Sequence, residues 1–290
     1  MIHPFELHRP GSLGEASTML RDLPDAALLC GGTELLQVMK MGLARFEHLI
    51  DLKRIDELRG IERLDDGALR IGATTTHREL ERSPLMAESY PGFVEMEREV
   101  ANVRVRNMGS IGGNLCFAEP HSDPATFLLA ANATLELATA DARRELTVDE
   151  FVLEALTTAL EPDELLAAIR LPAVRPGEQV VYRKLAFVER PAASVCCRVR
   201  LEDGVVREAR VAVGSIGDVP VLVESAANEL LDRSVGELEA AGERAAEIIN
   251  AECEASDDIN GSAEYKRHLA GTLLRRALRQ VAEEAGHAGK

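Results

Sequence analysis

Over the first fifty residues, short apolar runs alternate with amphipathic stretches, the pattern of strands followed by helices. An extended piece ends at Pro10-Gly11, and Ser12 is placed to cap a helix whose apolar face is Leu13, Ala16, Leu20 and Leu23. The run Ala27–Cys30 predicts a strand, Leu35–Met41 a helix and His48–Leu52 a second strand, together a β-α-β unit. The spacing then shortens. Ile61–Leu64 and Leu69–Ile71 flank Asp65-Asp66-Gly67, and Asp-Gly between apolar runs predicts a hairpin. Helical periodicity returns at about Arg78–Glu81, over Phe93–Val103 and near Ala125–Ala131; strands are predicted at Thr134–Thr139, Glu145–Val148 and Leu165–Leu171.

Pro172 and Arg175-Pro176-Gly177 break the pattern and predict a domain boundary. Beyond it, Val180–Phe187, Ala193–Leu201 and Val206–Val213 predict an antiparallel sheet, with Asp203-Gly204 as a tight turn. Val221–Leu231, Val235–Cys253 and Ala263–Glu284 read as helices. The fold class is therefore α+β. A two-lobed part over residues 1–175, with lobes of about 1–55 and 56–175, precedes a C-terminal domain, 178–290, of a small antiparallel sheet plus helices.

The chain has 290 residues, 46% of them hydrophobic, enough for substantial cores. With aromatics at 3% and no Trp, those cores are built from Leu, Val, Ile and Ala. A net charge of -16 argues against nucleic acid and against an anionic membrane surface, since both need clustered Lys and Arg. No segment approaches the ~18 apolar residues of a bilayer span, and the start Met-Ile-His-Pro-Phe-Glu lacks a signal-peptide pattern. Five cysteines, two of them adjacent at Cys196-Cys197 and none in C-x-x-C spacing, do not make a disulfide framework. These features predict a reduced, cytoplasmic protein.

Two glycine bends carry the candidate chemistry. One is Cys30-Gly31-Gly32-Thr33-Glu34, between a predicted strand and a predicted helix; the other contains Gly109, Gly112 and Gly113. Backbone at such bends approaches a ligand without an intervening Cβ, and free N–H groups suit an anion such as a pyrophosphate. Thr33, Ser110 and Asn114 add neutral donors. Neither bend is a Walker A loop or a G-x-G-x-x-G fingerprint. Either bend alone is compatible with a purely structural turn. The histidines (His3, His8, His48, His77, His121, His268 and His287) show no ligand spacing along the chain, so no metal site is predicted. His121-Ser122-Asp123 does not make a triad, because sequence neighbours cannot adopt that geometry. Cys30 and Cys116 read as small apolar fillers, and no catalytic residue is assigned.

Residues 30–36, Cys-Gly-Gly-Thr-Glu-Leu-Leu, resemble the Ala-Gly-Gly-Thr-Asp-Leu signature, and residues 106–114, Arg-Asn-Met-Gly-Ser-Ile-Gly-Gly-Asn, resemble Arg-Asn-x-Gly-Thr-Ile-Gly-Gly-Asn. Both signatures belong to the FAD-binding subunits of the xanthine dehydrogenase family of molybdenum hydroxylases, the resemblance being nearest to the medium subunits of its carbon monoxide dehydrogenase branch. Leu49–Leu52, Leu69–His77, Pro162–Leu166 and Asp258–Arg267 are similar to family segments as well, so the likeness covers nearly the whole chain. It implies a two-lobed FAD domain like that of vanillyl-alcohol oxidase relatives, followed by a domain special to this subunit. It implies FAD contacts at Leu29, Cys30, Gly31, Gly32, Thr33, Glu34, Leu35 and Leu36, and at Ser110, Ile111, Gly112, Gly113 and Asn114. Asp123, Leu166 and Lys184 match further family positions near the cofactor, Lys184 as a positive charge beside the flavin; Val100 stands where some relatives carry an aromatic.

Cys30, Glu34, Ser110 and Asn260 replace the usual Ala, Asp, Thr and Arg, all mild departures. The four-cysteine insertion of one family branch is absent, which argues against an iron–sulfur centre in this chain. The resemblance implies an electron-transfer role in a complex with a large molybdopterin subunit and a small [2Fe–2S] subunit, as a heterotrimer or dimer of heterotrimers. NAD, a quinone or oxygen would be the acceptor. A stand-alone FAD oxidase or reductase, and a non-catalytic scaffold, remain open on the sequence.

Overall fold

A computed structural model describes residues 2–288; Met1 and Gly289–Lys290, at the ends of the two predicted parts, lie outside the described residues, as does the side chain of His287. The first lobe is β1 (Glu6–His8), α1 (Leu13–Asp22), β2 (Ala26–Leu29), α2 (Leu35–Met41) and β3 (His48–Asp51). Its strands form a parallel sheet in the order β1-β3-β2. Ser12 caps α1 by accepting from the Glu15 N–H, and Gly42, at φ 76°, ends α2 in the left-handed region.

Lobe two opens with the hairpin β4 (Ile61–Arg63) and β5 (Leu69–Gly72), followed by six helices. These are α3 (His77–Arg82), α4 (Pro84–Ser89), α5 (Pro91–Glu99), α6 (Val103–Met108), α7 (Ile111–Phe117) and α8 (Asp123–Ala131). Then come β6 (Thr134–Ala138), β7 (Arg143–Thr147), α9 (Val148–Phe151), the short hairpin β8 (Val152–Glu154) and β9 (Thr157–Thr158), and β10 (Leu165–Leu171). The antiparallel sheet runs β4-β5-β10-β6-β7. All nine residues of α8 are buried, as expected of a helix apolar on every side.

The lobes share a core. Leu13, Ala16 and Ile50 pack with Ala138, Leu165 and Ala167, and Ser17 Oγ donates to the Asp163 carbonyl at 2.8 Å. The C-terminal part holds an antiparallel sheet of β11 (Glu178–Ala186), β12 (Pro191–Glu202), β13 (Val205–Gly214) and β14 (Val221–Leu222). Helices α10 (Glu224–Asn228), α11 (Leu238–Glu252) and α12 (Ala263–Ala288) accompany it, with α11 and α12 covering one face through Ala245, Ile249, Ala270 and Leu274. The other face lies on lobe two: Tyr182, Cys196 and Ala212 share a core with Phe93 and Phe127.

Two predicted helices are corrected. The run 93–103 is broken, because α5 ends at Glu99 and Ala101 takes φ 41° before Asn102 caps α6. The run 221–231 starts as an edge strand, since Val221 and Leu222 pair with β13 before the chain turns into α10. Among the described residues no helix is long and apolar enough to cross a membrane.

Candidate functional site

The two glycine bends touch. A Cβ on Gly31 would stand 2.0 Å from the Met108 carbonyl oxygen and 2.7 Å from Gly109 Cα, so only glycine permits the approach. A Cβ on Gly109 would meet Thr33 Oγ1 at 3.4 Å, and one on Gly113 would meet the Cys30 Cβ at 3.6 Å. The first bend leaves β2 and enters α2 through Gly32, at φ 70°. Among the described residues, the N–H groups of Gly31, Gly32, Thr33, Glu34 and Leu35 donate to no protein acceptor, whereas Leu36 N–H bonds the Gly32 carbonyl at 3.1 Å.

The second bend differs from its sequence reading as a loop rich in free amides. Ser110 is the N-cap of α7, and residues 111–114 form its first turn. Ile111 N–H donates to Thr75 O, Gly112 N–H to Ala73 O at 2.9 Å, Gly113 N–H to Ser110 Oγ and Asn114 N–H to Ser110 O. These amides are occupied. The glycine at 112 serves packing: a Cβ there would lie 2.5 Å from the Ala73 Cβ.

Between the bends opens a cleft of about 960 Å³, at the large end of the range for cofactor sites. Cys30, Gly31, Gly32, Thr33, Glu34 and Leu35 line it, as do Ser110, Gly112, Gly113, Asn114, Asp123 and Leu166. Leu29, Leu36, Ile111 and Lys184 do not. Leu29 and Leu36 sit behind Gly32, where its Cβ would meet them at 2.9 and 3.1 Å. Ile111 points into the core of lobe two. The wall also includes His77, Val100, Val105, Glu119, His121 and Arg190, none of them a contact that the sequence predicts; Val100 stands where some relatives carry an aromatic. His77 ends the Leu69–His77 segment already similar to the family, the one signal that could have found it.

Lys184, expected from the resemblance as a positive charge beside the flavin, is a paired charge behind the cleft wall. Its Nζ donates to Asp123 Oδ2 at 2.9 Å and to the Glu99 carbonyl at 2.8 Å, with both charged side chains buried. Tyr182 Oη donates to Asp123 Oδ1 at 2.5 Å. Burial pushes the Asp123 carboxyl above its ordinary range, with Lys184 and Tyr182 pulling against it. Asp123 begins α8, whose N-terminal dipole also favours an anion.

A second buried pair stands beside it. His77 Nδ1 lies 2.9 Å from Glu97 Oε2, and the other carboxylate oxygen, Glu97 Oε1, has no hydrogen-bond partner. Burial lowers the proton affinity of His77, but Glu97 outweighs it and the net direction is up; burial likewise raises Glu97. At the mouth, Arg190 spans Glu119 at 3.2 Å and Glu34 at 3.8 Å. His121 is held between Glu119 Oε1 at 2.8 Å and Asp258 Oδ2 at 3.1 Å, and Lys266 Nζ meets the same Asp258 oxygen at 2.7 Å. Burial pushes the Cys30 thiol up to about 11 and raises Cys116 further, so both stay protonated near neutral pH.

These features fit a long, partly anionic ligand with an apolar end. The unpaired amides of the first bend suit phosphate oxygens, and Val100, Val105, Leu165 and Leu166 offer an apolar wall. The comparisons agree. Residues 3–174 match the model of the FAD binding domain in molybdopterin dehydrogenase, and residues 189–281 that of the CO dehydrogenase flavoprotein C-terminal domain. The chain is 36% identical over 282 residues to the carbon monoxide dehydrogenase medium chain of Hydrogenophaga pseudoflava, covering 96% of this chain and 97% of that one. It is 28% identical over 286 residues to a putative xanthine dehydrogenase FAD-binding subunit of Escherichia coli, with 96% of each covered. A solved structure of reconstituted CO dehydrogenase from Oligotropha carboxidovorans superposes with a TM-score of 0.93 at 31% identity, covering 98% of this chain and 99% of that one.

Proposed function

The chain belongs to the FAD-binding medium subunits of the molybdenum hydroxylases, and on that premise we propose that it is the electron-transfer flavoprotein of such a complex. It receives electrons from the [2Fe–2S] clusters of a small partner subunit and delivers them to NAD, a quinone or oxygen. A large partner subunit holds the molybdopterin and chooses the substrate. The three assemble in the cytoplasm as a heterotrimer or a dimer of heterotrimers, in keeping with five free cysteines.

The observation that carries this reading is the row of unpaired amides, Gly31 to Leu35, on residues that line a cleft of about 960 Å³. FAD, when bound, supplies the uptake and release of electrons singly or in pairs. The chain's own residues bind and orient it. The amides of the first bend and the Thr33 hydroxyl hold the diphosphate, and the Ser110 hydroxyl and the Asn114 amide add donors from α7. Ser122 Oγ donates to Asn114 Oδ1 at 2.6 Å, which fixes that amide with its nitrogen free to donate. The buried Asp123 carboxyl faces a ligand hydroxyl, and Lys184 from behind pulls against the burial that raises its proton affinity. Val100, Val105 and Leu166 exclude water from the apolar ends. No side chain here has to move a proton in the reaction.

The test is capture of an affinity-tagged chain from its native host. A yellow complex containing a molybdopterin subunit and an iron–sulfur subunit is expected. A yellow chain that oxidises a small donor unaided would identify a stand-alone flavoenzyme. A colourless chain that still captures partners would identify a scaffold.

A further inference from the structure

Chain spacing hides a cluster that strand pairing creates. β1 and β3 run parallel with Glu6 opposite His48, and His8 lies two residues along the same face of β1. His8 Nε2 and His48 Nδ1 are 3.1 Å apart, and Glu6 Oε2 is 3.8 Å from His48 Nδ1. One ligand atom from each of the three residues falls within 4.8 Å of the other two. We propose that Glu6, His8 and His48 bind one divalent transition-metal ion, Zn²⁺ being the best match, with a water-accessible position left open.

The donor chemistry fits. Two imidazoles and one carboxylate are the ligand types Zn²⁺ takes, and three protein ligands leave one site of a tetrahedron for water. With Zn–N bonds of 2.0–2.1 Å and tetrahedral angles, two coordinating nitrogens stand roughly 3.3 Å apart. The separation of 3.1 Å is already close to that. Without metal, the same two nitrogens share a single N–H···N bond, and the carboxylate contributes only at long range. Metal binding asks the donor ring to carry its proton on its other nitrogen, with no change in the net charge of either ring. Glu6 is exposed, so rotation about its own side chain closes the remaining gap, while the half-buried histidines are held by the strands.

The site ties the N-terminal strand to β3, at the sheet edge away from β2 and the glycine bend. It is thus independent of the flavin reading. Zinc chloride titrated calorimetrically into the full-length, chelator-stripped chain is expected to bind at one equivalent. His48→Ala should abolish that uptake. Glu6→Gln, a change at an exposed side chain, should weaken it at least about tenfold, the scale of loss when even a group that merely orients a metal ligand is removed. Cobalt(II) should give the intense visible bands of a four-coordinate ion in the wild type and lose them in His8→Ala, with circular dichroism confirming that each variant is folded. Flavin content should be the same in all. Absence of saturable uptake, or uptake equal in the wild type, His48→Ala and Glu6→Gln, would overturn the proposal.

Discussion

Gly31 lies so close to Met108 that a Cβ on it would stand 2.0 Å from the Met108 carbonyl oxygen. Residues almost eighty positions apart are thereby pressed backbone to backbone, and Gly31 and Gly109 at this contact both line the cleft. Relief of such an overlap requires movement of main chain, because neither partner atom is the end of a flexible side chain. The residues that carry the unpaired amides, 31–35, line the same cleft as Ser110, Gly112, Gly113 and Asn114 of the second bend. A side chain at Gly31 is therefore expected to disturb lobe packing and the lining of the cleft together.

Lys184 and Asp123 form the buried ion pair behind that cleft. Lys184→Met leaves a buried carboxylate that must take up a proton or remain unpaired, and the expected loss is about 3–5 kcal/mol. Urea unfolding measures it. Adding Asp123→Asn should recover part of the loss, because no charge is then stranded. A loss in Lys184→Met no larger than that of a surface lysine variant would show that the pair carries no such role.

His121 links stability to pH. Its hydrogen bond to Glu119, and then that to Asp258, raise its proton affinity in the fold despite partial burial. A group held more strongly protonated when folded contributes fully below its unfolded value, near 6.5, and loses that contribution as pH rises through the folded value. The melting temperature of the wild type should therefore exceed that of His121→Gln by a margin that shrinks from pH 6 to pH 9. On the acid side, Asp258 is opposed by burial but brought down to about 2 chiefly by Lys266. Its contribution is present above the ordinary Asp value and lost as pH falls toward about 2. A margin that is constant from pH 6 to pH 9 would contradict the His121 linkage.

Phe127 joins lobe two to the C-terminal sheet. It meets Phe93 edge-on, with ring centroids 5.0 Å apart at 85°, and shares a core with Tyr182, Cys196 and Ala212. Phe127→Ala should lower stability by about 3–5 kcal/mol. Because Gly92 also lies against β11, where a Cβ would meet the Val180 carbonyl at 2.1 Å, the loss should appear in one transition for the whole chain. Near- and far-ultraviolet circular dichroism with non-coincident midpoints would show instead that the two parts unfold separately.

Much of this was legible in the chain. Apolar alternation and Asp-Gly turns located most strands, and the helix Leu35–Met41 has the bounds its periodicity predicts. The first glycine bend could be read because Gly32 must take a positive φ, a property carried by residue type. The second misled for a physical reason: Gly112 and Gly113 are helical, and the Ala73 neighbour that requires a glycine at 112 is remote in sequence. Lys184 was a candidate by position alone, since its pairing with Asp123 depends on β11 packing beside the start of α8. Glu6, His8 and His48 were invisible for the same reason, because strand register rather than spacing brings them together.

The most direct test of the account is FAD titration of the purified, flavin-stripped chain, followed by absorbance and flavin fluorescence. The wild type should take up one FAD. Gly42→Ala, at φ 76° with open space around it, should keep that uptake while losing about 1–2 kcal/mol of stability. Gly31→Val should lose binding while circular dichroism still reports a folded chain. A wild type that takes up no flavin, or a Gly31→Val variant that binds it undiminished, would contradict the claim that these touching bends hold the cofactor.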